Sequence, residues 1–215
     1  MSNSRQKIIY FEEGWNFVQK GIKKLQNNLE GLPGPSLTSV DHTLLYTTVF
    51  NMCTNKPPHD YSQELYIKYK ETFEDYIKTT VLPSLKEKKD KVLLRELLKR
   101  WSNLKTMTYW ISKYFSYLDR FHLPRRSLPS LEETSFLSFY HLAYDEMNRQ
   151  VMDAIVSMMN RKSAGETVEE TLINEILNLY SEIGERTRKN EPKQFAETLM
   201  MKANATSFMS RLQIG

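Results

Sequence analysis

Residues 44–69 read LLYTTVFNMCTNKPPHDYSQELYIKY, and the first part of this stretch decides the fold. Its apolar and aromatic residues do not alternate, so it is no half-buried strand. At about 100° per residue, Leu44, Leu45, Thr48 and Met52 fall on one side of a helix. His42, Tyr46, Val49 and Cys53 fall on a second side, with Thr43 and Phe50 beside them. Together they cover about two-thirds of the circumference, against the ~100° stripe an ordinary surface helix needs. Such a helix is either central and buried all round, or it packs one face on a core and offers the other to a partner. Periodicity leaves both readings open.

Outward from this helix the 3.6-residue period continues almost everywhere. Phe11, Trp15, Val18, Ile22, Leu25 and Leu29 form the stripe of a first helix, which Gly31 and Pro33 end. Ser39 is the expected cap of the second helix, which runs to about Thr54. NKPPHD breaks the chain, and Asp60 with Gln63 suggests a capping box for a third helix closed by Pro83. Val92, Leu93, Leu94, Leu97, Leu98 and Trp101 predict a fourth helix. Trp110, Ile111, Tyr114, Phe115, Tyr117, Leu118 and Phe121 predict a fifth, ending before Pro124. A long helix is expected from about Leu131 to Asn160. Another is capped by Thr167 and stopped by Gly184, and a last one starts near Phe195. No strand pattern of useful length occurs, so the expectation is an all-α chain.

Composition agrees. Only 7 Gly and 8 Pro in 215 residues argue against a turn-rich β fold. A net charge of +4, from 30 basic and 26 acidic residues, describes a solvated surface better than a nucleic-acid footprint. The run KEKKDK at 86–91 reads as a solvated turn or helix start. No secretory leader and no apolar run of about 18 residues is present, which predicts a soluble intracellular chain with no membrane contact.

Enzyme signatures are missing: no Gly-rich phosphate loop, no GxSxG, no HExxH, no CxxC. His42, His59, His122 and His141 lack metal-ligand spacing, and Cys53 reads as a small packed apolar residue. Glu12/Glu13 and Glu132/Glu133 sit in first helical turns, where the helix dipole accounts for them. No catalytic residue, metal or cofactor is expected.

The ordered series LLYTTVFNMCT, KPPHDYSQELYIKYKETFEDYI, TVLPSL, LLRELLKRWSN, YLDRF, RRSLP and YSEIG, over about residues 10–185, resembles the amino-terminal region of cullins. The likeness is strongest to the cullin of SCF-type ubiquitin ligases in its plant form. It implies a stalk of five-helix repeats, with residues 1–128 a first repeat and 129–215 part of a second. It also implies a non-catalytic scaffold in ubiquitin-dependent protein degradation, cytoplasmic and nuclear, whose partner is a Skp-like adaptor carrying an F-box protein. The family's docking surface comes from the second and fifth helices. The resemblance carries it to His42, Thr43, Tyr46, Val49 and Phe50, and to Met107, Tyr109, Trp110 and Lys113. SCF-type cullins commonly have Tyr and Met at the positions of His42 and Thr43. A full cullin continues to a carboxy-terminal domain that recruits the RING protein. Without that half no RING protein is expected to bind, and the chain would act as a competitor. The alternative is an inactive helical remnant with no adaptor binding.

Overall fold

The computed structural model describes residues 8–198 and Met201, and among them no strand occurs. The chain is all-α: α1 Phe11–Leu29, α2 Ser39–Thr54, α3 Ser62–Tyr76, α4 Leu82–Lys86, α5 Asp90–Tyr114, α6 Leu131–Phe139, α7 Asp145–Ser163 and α8 Glu170–Thr187. A further helical segment covers 191–198. The expected last helix at Phe195 therefore starts four residues earlier, and Leu199, Met200 and Phe208 lie outside the described residues.

Two compact units emerge: 1–71 with 103–134, and 72–102 with 135–215. In the first, the α1 stripe buries Trp15, Val18, Ile22 and Leu25 as its spacing requires. Gly21 brings α2 close. A Cβ there would stand 2.5 and 2.8 Å from the Leu45 methyls and 3.1 Å from its Cγ. A side chain there would push Leu45 from its place in the core. The start of α2 is set by Thr38, one residue before the expected Ser39. Thr38 Oγ1 accepts from the Asp41 N–H, and the Asp41 carboxylate accepts from the Thr38 N–H, a reciprocal capping box.

At α3 the expected box does not form. Asp60 accepts from the Ser62 N–H and hydroxyl. Gln63 instead turns its Oε1 to Arg126 at 2.9 Å and to His122 at 3.3 Å. Tyr69 is fully buried, and its hydroxyl donates to the Leu131 carbonyl at 2.9 Å and meets Ser112 Oγ. That satisfies a polar group that would otherwise be costly inside a core.

In the second unit, Pro83 does not close the helix begun at Ser62. A π-helical turn, Ile77–Val81, leads directly into α4, with the Leu82 N–H donating five residues back to Ile77. The wider turn admits a proline that lacks its own N–H and would crowd the carbonyl four residues back. A second π turn, Tyr140–Tyr144, joins α6 to α7, so the long helix expected from Leu131 runs on to Ser163. Trp101 lies between Phe136 and Phe139, and its indole N–H donates to Glu182 at 2.7 Å. The KEKKDK run ends α4, turns and begins α5, and three of its four lysines pair with carboxylates: Lys86 with Glu146, Lys88 with Glu96, Lys91 with Glu169.

Two further expectations give way here. Helix α8 starts at Glu170, with no side-chain cap from Thr167, and it runs past Gly184 to Thr187, where Arg188 takes the left-handed conformation. Gly184 serves close approach: a Cβ would lie 3.0 Å from the Lys189 carbonyl oxygen. The expected fourth and fifth helices are also one. α5 is unbroken from Asp90 to Tyr114. Leu93, Leu97, Trp101, Leu104, Met107, Ile111 and Tyr114 are all buried at spacings of three and four, and neither Gly nor Pro interrupts them.

Candidate functional site

The site lies in the first unit, on α2 and on the second half of α5 with its continuation. The core face of α2 is Leu45, Val49, Met52 and Cys53, which straddles the two sides expected from the helical angle. Leu44, expected beside Leu45, is 47% exposed. What remains for a second face is His42, Tyr46 and Phe50, at i, i+4 and i+8.

Across from it, α5 presents Tyr109, Trp110 and Lys113. The His42 imidazole stacks on Trp110 with centroids 4.0 Å apart, and Trp110 meets Tyr109 edge-on at 5.2 Å. Lys113 places its ammonium 3.9 Å from the Tyr109 ring centroid and 5.5 Å from that of Trp110. Cation–π attraction holds the lysine over both rings, and its Nζ also donates to the Tyr109 hydroxyl. Further along, Tyr46 stacks on Phe50, Phe50 meets Tyr117 edge-on at 5.7 Å, and Tyr117 contacts Phe121 at 4.8 Å.

The result is an aromatic ribbon along the α2–α5 seam, with Tyr46, Tyr109 and Phe121 each at least 41% exposed. A π-helical turn at Leu118–His122 carries Phe121 onto it. Clustered exposed aromatic area of this kind marks surfaces that bind other proteins.

Of the residues singled out from the sequence, His42, Thr43, Tyr46, Phe50, Tyr109, Trp110 and Lys113 reach this surface. Val49 and Met107 have no exposed area and support it from beneath. In the sequence, Tyr114, Tyr117 and Phe121 read only as part of an apolar stripe. Their spacing from Trp110, four, seven and eleven residues on, was the signal for a second aromatic line.

Electrostatics fix the polar end of the ribbon. Burial, with the Asp41 charge adding to it, holds the Tyr114 phenol well above its ordinary pKa, so it stays protonated. Its oxygen is 2.5 Å from His42 Nδ1. The two groups share one hydrogen bond, whose direction depends on the imidazole tautomer. At the far end, burial first and then Arg126 lower the His122 pKa. Cys53 is buried behind the face, and desolvation pushes its thiol up to about 12. Among the described residues no group of three or more His, Cys, Asp or Glu could hold a metal ion. No described helix is long and apolar enough to cross a membrane.

Amphipathic helices with buried apolar stripes, and no strand among the described residues, define an all-α class, and sequence comparison makes it specific. The family described as the Cullin alpha solenoid domain matches residues 15–210. The chain belongs to the cullin family. It is 50% identical to Cullin-1 of Oryza sativa subsp. japonica over 184 residues, 86% of this chain and 25% of that protein. It is 43% identical to Putative cullin-like protein 2 of Arabidopsis thaliana over 211 residues, 97% of this chain and 55% of that one. With Cullin-like protein 3 of the same plant it shares 34% over 203 residues, 94% of this chain and 78% of that protein. The chain thus spans about a quarter of the length of the rice cullin.

Proposed function

We propose that residues 1–128 act as the first cullin repeat and dock a Skp-like adaptor carrying an F-box protein, as a non-catalytic scaffold in ubiquitin-dependent degradation. Residues 129–215 are then part of a second repeat, and the protein works in the cytoplasm and nucleus. The observation that carries this reading is the exposed aromatic ribbon on α2 and α5, the elements to which the family resemblance assigns docking. Tyr46 and Trp110 are the anchors. Aromatic anchors near an interface centre commonly cost about 2 kcal/mol or more on truncation. Titration calorimetry of an adaptor–F-box complex against the wild type, Tyr46→Ala and Trp110→Ala tests it. Loss of about thirtyfold or more in affinity for both variants is expected, and equal affinities remove the surface from consideration.

A scaffold promotes transfer by holding two bound parties at high effective concentration. A polypeptide of these 215 residues, occupying the adaptor without a RING-recruiting half, competes with a full-length cullin. Added to a reconstituted SCF ubiquitination reaction, it inhibits with dose.

One observation favours a second reading, an inactive remnant. His42 and Thr43 spend their polar atoms within the chain, His42 on Tyr114 and Thr43 on the Ser39 carbonyl at 3.0 Å. A face so satisfied gives less to a partner. No adaptor binding and no effect on the ubiquitination reaction is the outcome that reading requires.

A further inference from the structure

The outer face of α1 and the connector after it form a groove that the aromatic ribbon does not use. Its volume is about 320 Å³, and it is lined by Lys20, Lys23, Lys24, Asn27, Asn28 and the chain at 33–35. The lysines stand at i, i+3 and i+4, with Asn27 at i+7, so helix geometry puts them on one side. Val18, Ile22 and Leu25 bury the opposite side.

Two of the three lysine charges in this groove, and much of its hydrogen-bonding capacity, are unspent. Lys24 pairs with Asp41 at 3.1 Å, whereas Lys20 and Lys23 are exposed and have no carboxylate partner among the described residues. The side-chain amides of Asn27 and Asn28 also have no protein partner there, nor do the Gly34 N–H and the carbonyls of Pro33, Gly34 and Pro35. Ammonium groups alone would suit any anion. Free amides and an unpaired stretch of main chain beside them suit an extended backbone, which offers alternating donors and acceptors.

We infer that this groove binds an extended acidic peptide segment of a partner protein. Carboxylate side chains meet Lys20 and Lys23, and the peptide backbone meets Asn27, Asn28 and the connector. The site is separate from the proposed adaptor surface. Asp41 faces α1 and holds Lys24, while the next residue, His42, turns to α5. The two can be filled together, and either can fail without the other.

The test is fluorescence anisotropy with the full chain and a labelled eight-residue peptide of alternating Glu and Ala, at low and physiological salt. Inorganic phosphate and a single-stranded DNA octamer serve as competitors. Saturable binding is expected, about tenfold weaker in Lys20→Glu/Lys23→Glu. Binding should be unchanged in Lys89→Glu/Lys99→Glu, which reverses two exposed lysines of the other unit. Asn27→Ala/Asn28→Ala should weaken the peptide without changing phosphate competition. All four lysines are on the surface, and circular dichroism confirms that the variants fold. Equal loss in the two lysine pairs means diffuse attraction and overturns the proposal. So does tighter binding of the DNA, or indifference to the asparagine pair, either of which assigns the groove to bare anions.

Discussion

The imidazole of His42 lies on the indole of Trp110 at a centroid separation of 4.0 Å and an angle of 26°, and its Nδ1 is hydrogen-bonded to the buried Tyr114 hydroxyl. One ring therefore ties α2 to two turns of α5. By the family resemblance SCF-type cullins carry Tyr at this position, and a phenol has no ring nitrogen to meet the Tyr114 hydroxyl. The larger ring is expected to project towards the open side of the ribbon.

Restoring the family residues with His42→Tyr/Thr43→Met accordingly trades internal for external contact. About 50 Å² of added apolar area, at ~25 cal/mol per Å², gives roughly 1 kcal/mol of extra affinity for a conventional adaptor. The lost Tyr114 bond costs about 1 kcal/mol of stability. Calorimetry and urea denaturation on the same pair of proteins check both signs. Unchanged affinity would place these residues outside the contact.

Burial divides the proposed docking residues into two kinds with opposite signatures. Met107→Ala should cost about 2–5 kcal/mol of stability, since the side chain is wholly enclosed and leaves a cavity. Tyr46→Ala, at 41% exposure, should change stability by no more than about 0.5 kcal/mol while weakening adaptor binding. Denaturation midpoints set beside binding constants separate the two. A stability loss in Tyr46→Ala comparable to that in Met107→Ala would make Tyr46 a core residue.

Cys53 is predicted to be chemically silent in the folded protein. Burial raises its thiol to about 12, so at pH 8 only about one molecule in 10⁴ carries the reactive thiolate. A disulfide reagent such as DTNB should leave the native protein untouched and titrate one thiol in guanidinium chloride. Rapid reaction in native buffer would show that α2 opens locally and exposes its core face.

The first two helices were legible because their apolar stripes are long and their ends carry Gly, Pro and capping residues. Pro83 was misread because sequence spacing cannot announce a π turn, and that turn is what lets the helix continue. Gly184 was misread for a related reason. A glycine that ends a helix and one that lets a neighbouring backbone approach look alike until the Lys189 carbonyl is in place. At the candidate site, His42, Tyr46 and Trp110 could be chosen from type and position. Val49 differs from Tyr46 by only about 60° around α2, and only packing tells that one is enclosed and the other open.

Asp119 offers a pH test of how this seam is built. Its Oδ1 accepts from the Leu131 N–H at 2.9 Å, at the first residue of α6. Burial raises its pKa, and the Glu132 charge adds to the rise, while the Leu131 bond works the other way and does not win. The sign follows from linkage. A carboxyl whose folded pKa lies above its unfolded value contributes stability that is present in acid and lost as pH rises through the folded pKa. Asp119→Asn keeps the acceptor for Leu131 without the charge. It should therefore gain on the wild type as pH rises from about 4 to 7, whereas Asp119→Ala, which orphans the Leu131 N–H, should lose about 1–3 kcal/mol across that range. Urea denaturation of the three proteins at several pH values decides it. If the wild type instead gains on Asp119→Asn with rising pH, the negative charge is stabilised by the start of α6 more than burial penalises it, and the raised pKa is wrong in sign.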